Sequence, residues 1–165
     1  MLDIYDFLKR HGIAFEKFDH PAVFTCEEAE KLCPPMPGSH TKNLFLRDRK
    51  GERHFLVVVG YRKLVDLKGL TKVLGAHQLS FASPERLLKH LGVEPGAATL
   101  LGLAADSGGA VEVFLDEEIW QADALQCHPL INTATLVLSH ADIERFLEAT
   151  HHAARVISVP ERADQ

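Results

Sequence analysis

Residues 38–51 read GSHTKNLFLRDRKG, and how they are parsed decides what kind of sheet the chain can build. Leu44-Phe45-Leu46 is an apolar run, Asp48-Arg-Lys-Gly51 is a turn sequence, and His54–Gly60 (HFLVVVG) is a second apolar run. Two short apolar runs separated by a polar, glycine-containing turn predict a β-hairpin with strands Asn43–Arg47 and His54–Gly60. A sheet that contains a hairpin cannot be wholly parallel. Lys42 and Asn43 stand where a Gly/Ser/His/Thr loop runs into the first strand. Lys42 is either a solvated lysine or a fixed positive charge facing a site, and taken alone it favours the first reading.

Upstream of the hairpin, Asp3 caps a helix that carries Ile4, Phe7 and Leu8 on one face and ends at Gly12. A short strand follows at Ile13–Phe18, and Thr25-Cys-Glu-Glu28 is a capping-box pattern opening a helix through Leu32. CPPMPGSH (Cys33–His40) has too much proline for regular structure. Downstream, Asp66–Gly75 is helical and Leu79–Ala82 extended, and Ser83-Pro84 starts a helix that runs to Leu91. The loop GVEPGAATL (Gly92–Leu100) feeds a predicted strand at Leu101–Ala104, and the turn Asp106–Gly109 feeds Val111–Leu115. Glu117–Trp120 makes a helical turn, and the loop CHPLIN enters a strand at Thr133–Leu138. A helix at Ala141–Thr150, started by Ser139 or His140, and a strand at Val156–Val159 complete the pattern. This irregular alternation predicts one α+β domain over residues 1–165, a mixed, mainly antiparallel sheet surrounded by helices. Three unusual loops, 33–42, 92–100 and 126–132, each lead into an apolar strand, so they can converge on one pocket.

Composition narrows the function. With 165 residues and 46% apolar content the chain can bury a substantial core. No apolar run reaches membrane-spanning length, and the N-terminus lacks the pattern of a signal peptide, so the cytosol is the expected compartment. The net charge is −5, but residues 40–72 hold nine Lys/Arg against three acids, which is +6 and leaves −11 elsewhere. Such a basic flank suits a phosphate-rich ligand or one arm of an RNA, and equally an ordinary solvated hairpin.

Three cysteines (Cys26, Cys33, Cys127) show no framework spacing and no CxxC pair. His11, His54, His77, His90, His151 and His152 are scattered through the pattern without an HExxH or a Cys/His quartet, which reads as surface placement for most of them and gives zinc no site. GxSxG, GxxxxGK[ST] and GxGxxG are absent as well. Cys26, at a predicted helix N-terminus, is a nucleophile candidate on pKa grounds alone, with a half-buried structural role as the simpler reading.

Together the motifs carry a resemblance. DHPAVFTCEEAEKL, MPGSHTKNLFLRDRKG, VDLKGL, LSFASPERLLKHLGVEPGAATLLGL, VEVFLDEEI and HPLINTATLVLS occur in one order over nearly the whole chain. In that order they resemble the YbaK/ProX family of aminoacyl-tRNA editing domains, and within it the free-standing branch that deacylates Ala-tRNA(Pro). The resemblance implies a metal-independent, cofactor-free hydrolase acting in trans on mischarged tRNA. Prolyl-tRNA synthetase is the implied associated partner, and no DNA or membrane partner is implied. Removal of Cys or Ser, or a non-catalytic tRNA- or synthetase-binding module, are the alternatives.

By the same resemblance Lys42 is the main functional side chain near the tRNA 3′ end, and Asn43 orients the substrate. Gly96, Ala97, Ala98, Thr99 and Leu100 form the turn that holds the amino acid, with Gly96 offering backbone to the reaction. His128 and Asn132 line the site. Many members end that turn in proline, where this chain has Leu100.

Overall fold

A computed structural model describes residues 2–163 apart from the side chain of Cys26, so the nucleophile reading of Cys26 lies outside the described residues. The helices are α1 (Ile4–Arg10), α2 (Cys26–Leu32), α3 (Leu67–Leu74), α4 (Pro84–Leu91), α5 (Glu117–Trp120) and α6 (His140–Ala149). The strands are β1 (Glu16–Asp19), β2 (Ser39–Arg47), β3 (His54–Gly60), β4 (Ser80–Phe81), β5 (Val111–Asp116), β6 (Ala124–Cys127), β7 (Ala134–Ser139) and β8 (Ala154–Ile157). They form one sheet in the order β1-β7-β6-β2-β3-β5-β8, with β4 also paired to β2. Four of the seven pairings are antiparallel, and β2–β6, β3–β5 and β5–β8 are parallel. The α+β fold with a mixed, mainly antiparallel sheet is therefore the observed one.

Local chemistry explains most helix starts. The side chains of Asp3, Thr25, Ser83 and Ser139 each accept a hydrogen bond from an N–H in the first turn of α1, α2, α4 and α6. Glu28 completes the box at α2 by accepting from the Phe24 N–H at 3.0 Å. Strand β3 is buried from His54 to Val59 and feeds two cores by its period of two. Leu56 and Val58 pack with Leu8, Leu91, Leu101 and Phe146, while Phe55, Val57 and Val59 pack with Leu70, Leu74 and Phe114.

Four expectations are corrected. Strand β2 begins at Ser39, four residues before the predicted start, because β6 pairs with Ser39 and His40. That partner, β6, is itself a strand where none was predicted. Leu101–Ala104 is not a strand. It lies in a 3-10 helix, Leu100–Ala105, capped by the Thr99 hydroxyl, which accepts from Leu101 N at 3.2 Å. Gly102 lets that turn sit against α4, since a Cβ there would stand 2.8 Å from Leu91 Cβ. Finally, His54 and His152 are buried rather than on the surface. Burial, then His90 and Arg86, push His54 down to about 4.

His152 donates from Nε2 to Asp106 Oδ2 at 2.8 Å, and Asp106 also accepts from the N–H groups of Ala110 and Val111. Burial alone would raise the Asp106 carboxyl, but these hydrogen bonds outweigh it and hold the carboxyl below its ordinary range. A carboxyl depressed in the folded state stabilises fully above its unfolded pKa and ceases to do so as pH falls through the folded value. Asp106→Asn is expected to cost about 1–3 kcal/mol at neutral pH. Urea melts at stepped pH should show that deficit beginning to shrink as pH falls below the ordinary aspartate value of about 3.9, and a deficit that stays constant would exclude a contribution from the charge.

Candidate active site

Strand β2 changes neighbours along its length. On one edge it follows β3 throughout, from Thr41 to Arg47. On the other it meets β6 only at Ser39–His40 and β4 only at Leu46–Arg47. Between them the outer edge has no strand partner, and a cavity of about 260 Å³ opens there. His40–Asn43 of β2 form one wall, and Gln126 and Cys127 of β6, His128 just after it and Thr135 of β7 form the other. Gly96 and Ala98 come from the loop before the 3-10 helix, Val23, Phe24, Thr25 and Ala29 from the approach to α2 and α2 itself, and Tyr61 from the end of β3.

Specific bonds hold the split. Thr41 Oγ1 donates to the Gln126 carbonyl at 2.7 Å, at the point where the two strands part. The Gln126 amide donates to the carbonyls of Met36, Pro37 and Gly38 at 3.1–3.3 Å, tying the proline-rich loop to β6. In an extended strand successive residues turn their peptide groups to alternate edges. The His40 carbonyl accepts from Tyr61 on the β3 side and the Phe45 carbonyl accepts from Ala82 on the other. By that alternation the backbone of Asn43 faces the cavity edge.

Among the described residues lining the cavity, Lys42 is the only lysine, arginine or acid. Its ammonium donates to the Lys63 carbonyl. Lys63 in turn pairs with Asp116 at 2.6 Å, and the second Asp116 oxygen accepts from Val159 N at 3.0 Å. Asn43 Oδ1 is buried and has no hydrogen-bond partner in the structure. Leaving such an acceptor unmatched costs about 1–3 kcal/mol.

The cavity histidines are poor cations. Burial first, then His20, lowers His128, against the opposing effect of its bond to Ala134. Its Nδ1 donates to the Ala134 carbonyl at 3.1 Å, which leaves Nε2 as an acceptor. Burial, then His128 and His20, lowers His40, whose ring stacks on Tyr61 with 3.6 Å between centroids. Behind them His20 Nδ1 donates to the Pro21 carbonyl, so its Nε2 accepts from the Thr135 hydroxyl at 2.8 Å.

Of the residues singled out from sequence, Lys42, Asn43, Gly96, Ala98 and His128 line one cavity. Ala97, Thr99 and Leu100 do not. They are buried behind it. The Thr99 hydroxyl donates to the His128 carbonyl at 2.7 Å, fixing the loop to the opposite wall. Asn132 reaches the Val23 carbonyl at 3.5 Å and holds the rim. The three unusual loops do converge, although the second enters a 3-10 helix and not a strand. Sequence reasoning missed Phe24 and Tyr61. Phe24 is 69% exposed, and the signal for it was an aromatic residue directly before a capping box.

Burial pushes the Cys127 thiol up to about 12, so it stays protonated and is no nucleophile. Among the described residues no group of three or more His, Cys, Asp and Glu is placed to hold a metal ion. No helix among them is long and apolar enough to cross a membrane.

The aminoacyl-tRNA editing domain family matches residues 20–146. The chain belongs to that family. This editing domain is 37% identical over 147 residues to the prolyl-tRNA editing protein ProX of Acetoanaerobium sticklandii, covering 89% of this chain and 90% of the relative. It is 39% identical over 158 residues to prolyl-tRNA synthetase associated domain-containing protein 1 of Danio rerio, covering 94% and 85%. A crystal structure described as a candidate trans-editing enzyme for prolyl-tRNA synthetase shares the fold at a TM-score of 0.70 and 19% identity, covering 97% of this chain and 96% of the other.

Gly96 of the editing domain has φ +90°, and a Cβ there would meet Phe24 Cε1 at 2.8 Å. Gly96→Ala is expected to lower stability by about 1–2 kcal/mol through the backbone alone, with a further steric loss against Phe24. A double-mutant cycle with Phe24→Ala should recover the steric part; strict additivity would show that the two residues do not meet.

Proposed function

We propose that this editing domain hydrolyses mischarged tRNA(Pro) in trans, and that alanine is the amino acid it removes. The observation that carries the reading is a fixed cation, Lys42, in a cavity that also presents an unmatched buried acceptor on Asn43 and whose other described lining residues carry no lysine, arginine or acid. The names of the two relatives support the prolyl-tRNA assignment. Prolyl-tRNA synthetase is then the enzyme whose errors it corrects, and the cytosol is where it works.

An aminoacyl ester is already activated, so the reaction needs an oriented water and stabilisation of the developing oxyanion more than a strong nucleophile. Water adds to the ester carbonyl carbon, the bond to the ribose oxygen breaks, and the amino acid and a tRNA hydroxyl leave. The Lys42 ammonium supplies the positive charge near that oxyanion. Asn43 Oδ1 takes a donor from the terminal nucleoside. His128 Nε2 accepts a hydrogen bond from the water or from the ribose hydroxyl that orients it. The Ala97 N–H is already used by the Glu94 carbonyl, so the loop acts on the amino acid by shape. Selectivity is by size: a space that fits a methyl group excludes the proline ring by steric clash. Leu100, which replaces the proline of many members, is 1% exposed and sets the loop from behind.

Lys42→Ala is expected to lower deacylation of Ala-tRNA(Pro) at least about a hundredfold, on the scale of a lost oxyanion contact, while circular dichroism and Tm stay near wild type. Near-normal turnover by the folded variant would sink the assignment of Lys42. A panel of Ala-, Cys-, Ser- and Pro-tRNA(Pro), with Ala-tRNA(Ala) as control, should show alanine on tRNA(Pro) cleaved fastest and proline spared. Tight tRNA binding without cleavage of any of them would replace the hydrolase by a binding module.

The pH profile has a definite sign. His128 is neutral when folded at pH 7, so the rate above spontaneous hydrolysis should be level through neutrality. It should fall only at a pH below the ordinary imidazole value of about 6.5, as the ring protonates and loses its acceptor. His128→Gln should be slow and lack that acid limb, and an unchanged limb would assign it elsewhere.

A further inference from the structure

A second cavity, of about 520 Å³, adjoins the first and shares His40 and Tyr61 with it. The partition is a ring stack, 3.6 Å between centroids and 20° between planes. The Arg62 guanidinium lies 5.1 Å from the Tyr61 centroid and is ion-paired with Glu30, which also accepts from the Tyr61 hydroxyl at 3.4 Å. The cations at this cavity are thus engaged, Arg62 by Glu30 and Lys63 by Asp116. Its other charged residues are the carboxylates Glu118 and Glu161. This is a poor cradle for phosphate. Glu118 reaches its place because Gly60 has no side chain: a Cβ there would stand 2.8 Å from Glu118 Oε1.

Aromatic faces beside a carboxylate suit a planar ring that carries an amino donor. Single-stranded bases stack on aromatic side chains, and a carboxylate accepts from the exocyclic amino group of cytosine. The nucleotide before the terminal adenosine of a tRNA is a cytidine, and the shared wall puts this cavity one step from the reaction site. We propose that the second cavity holds that cytidine, its ring laid against the wall that Arg62, Tyr61 and His40 form as a stack and its amino group donating to Glu118. The assignment rests on the editing reaction proposed above. It adds a positioning element that registers the tRNA end, so that the ester is presented to Lys42.

The test separates the two readings. The unacylated dinucleotides CpA and UpA are titrated into the protein and followed by amide NMR, and their alanyl esters are assayed for hydrolysis. The wild type is expected to bind CpA about tenfold more tightly than UpA, as one base contact implies, with the largest shifts at Gly60–Lys63. Its kcat/KM on the alanyl esters should show the same preference, expressed in KM. Glu118→Ala should bring the ratio near one, and Tyr61→Ala should weaken both dinucleotides while Tyr61→Phe restores them. Hydrolysis of both esters without a preference for CpA would overturn the cytidine site and leave the editing reaction standing. A CpA preference lost in Glu118→Ala, with no hydrolysis of any ester, would uphold the nucleotide site and overturn the reaction. A preference that survives Glu118→Ala would also overturn the site.

Discussion

The change of partner along β2 is the constraint on which the rest of the molecule depends. A strand of nine residues is paired on one edge along most of its length but on the other only at its two ends. Unpaired backbone at a sheet edge is costly when buried and invites association when exposed. Here the gap is short, and the Thr41–Gln126 bond closes one end of it. Two facing walls of the cavity are built on strands of one sheet, so residues far apart in sequence are held face to face without a hinge.

The electrostatics follow from that placement. Burial keeps His40 and His128 uncharged, so the charge of Lys42 is not diluted by neighbouring cations. Like charges nearby would raise the cost of holding an ammonium there, and a carboxylate would neutralise it. Among the described residues neither lines the cavity. The Lys63 carbonyl accepts from the Lys42 ammonium and helps to fix it in position.

What could be read from sequence was what short-range chemistry specifies. The hairpin and the capped helices after Asp3, Thr25, Ser83 and Ser139 are each written within a few residues. The run Leu100–Ala105 was not legible. A short, wholly buried apolar run looks alike as strand or helix, and only packing of Gly102 on Leu91 and the Thr99 cap decide it. Ala124–Cys127 pairs with β7 beyond the loop CHPLIN, and its Leu125 and Gln126 also pair with Ser39 and His40, 86 positions away; that distant pairing hid the early start of β2. Lys42 looked solvated because its neighbours in sequence are polar. The cavity that changes its meaning is built from segments around residues 24, 96 and 127, and family resemblance, not periodicity, connected them. Thr99 was assigned to the pocket but holds its loop from behind.

The attachment of the Gly96–Ala98 loop has a consequence for how such domains diversify. The chemical groups stand on strands whose register leaves no freedom, because a slip of one residue would exchange the faces of Lys42 and Asn43. The Gly96–Ala98 loop is pinned through Thr99 to the carbonyl of His128. With the roles proposed above, reaction and selectivity are separately heritable: drift in the loop can redirect which amino acid is rejected, while the machinery that cuts the ester is inherited unchanged.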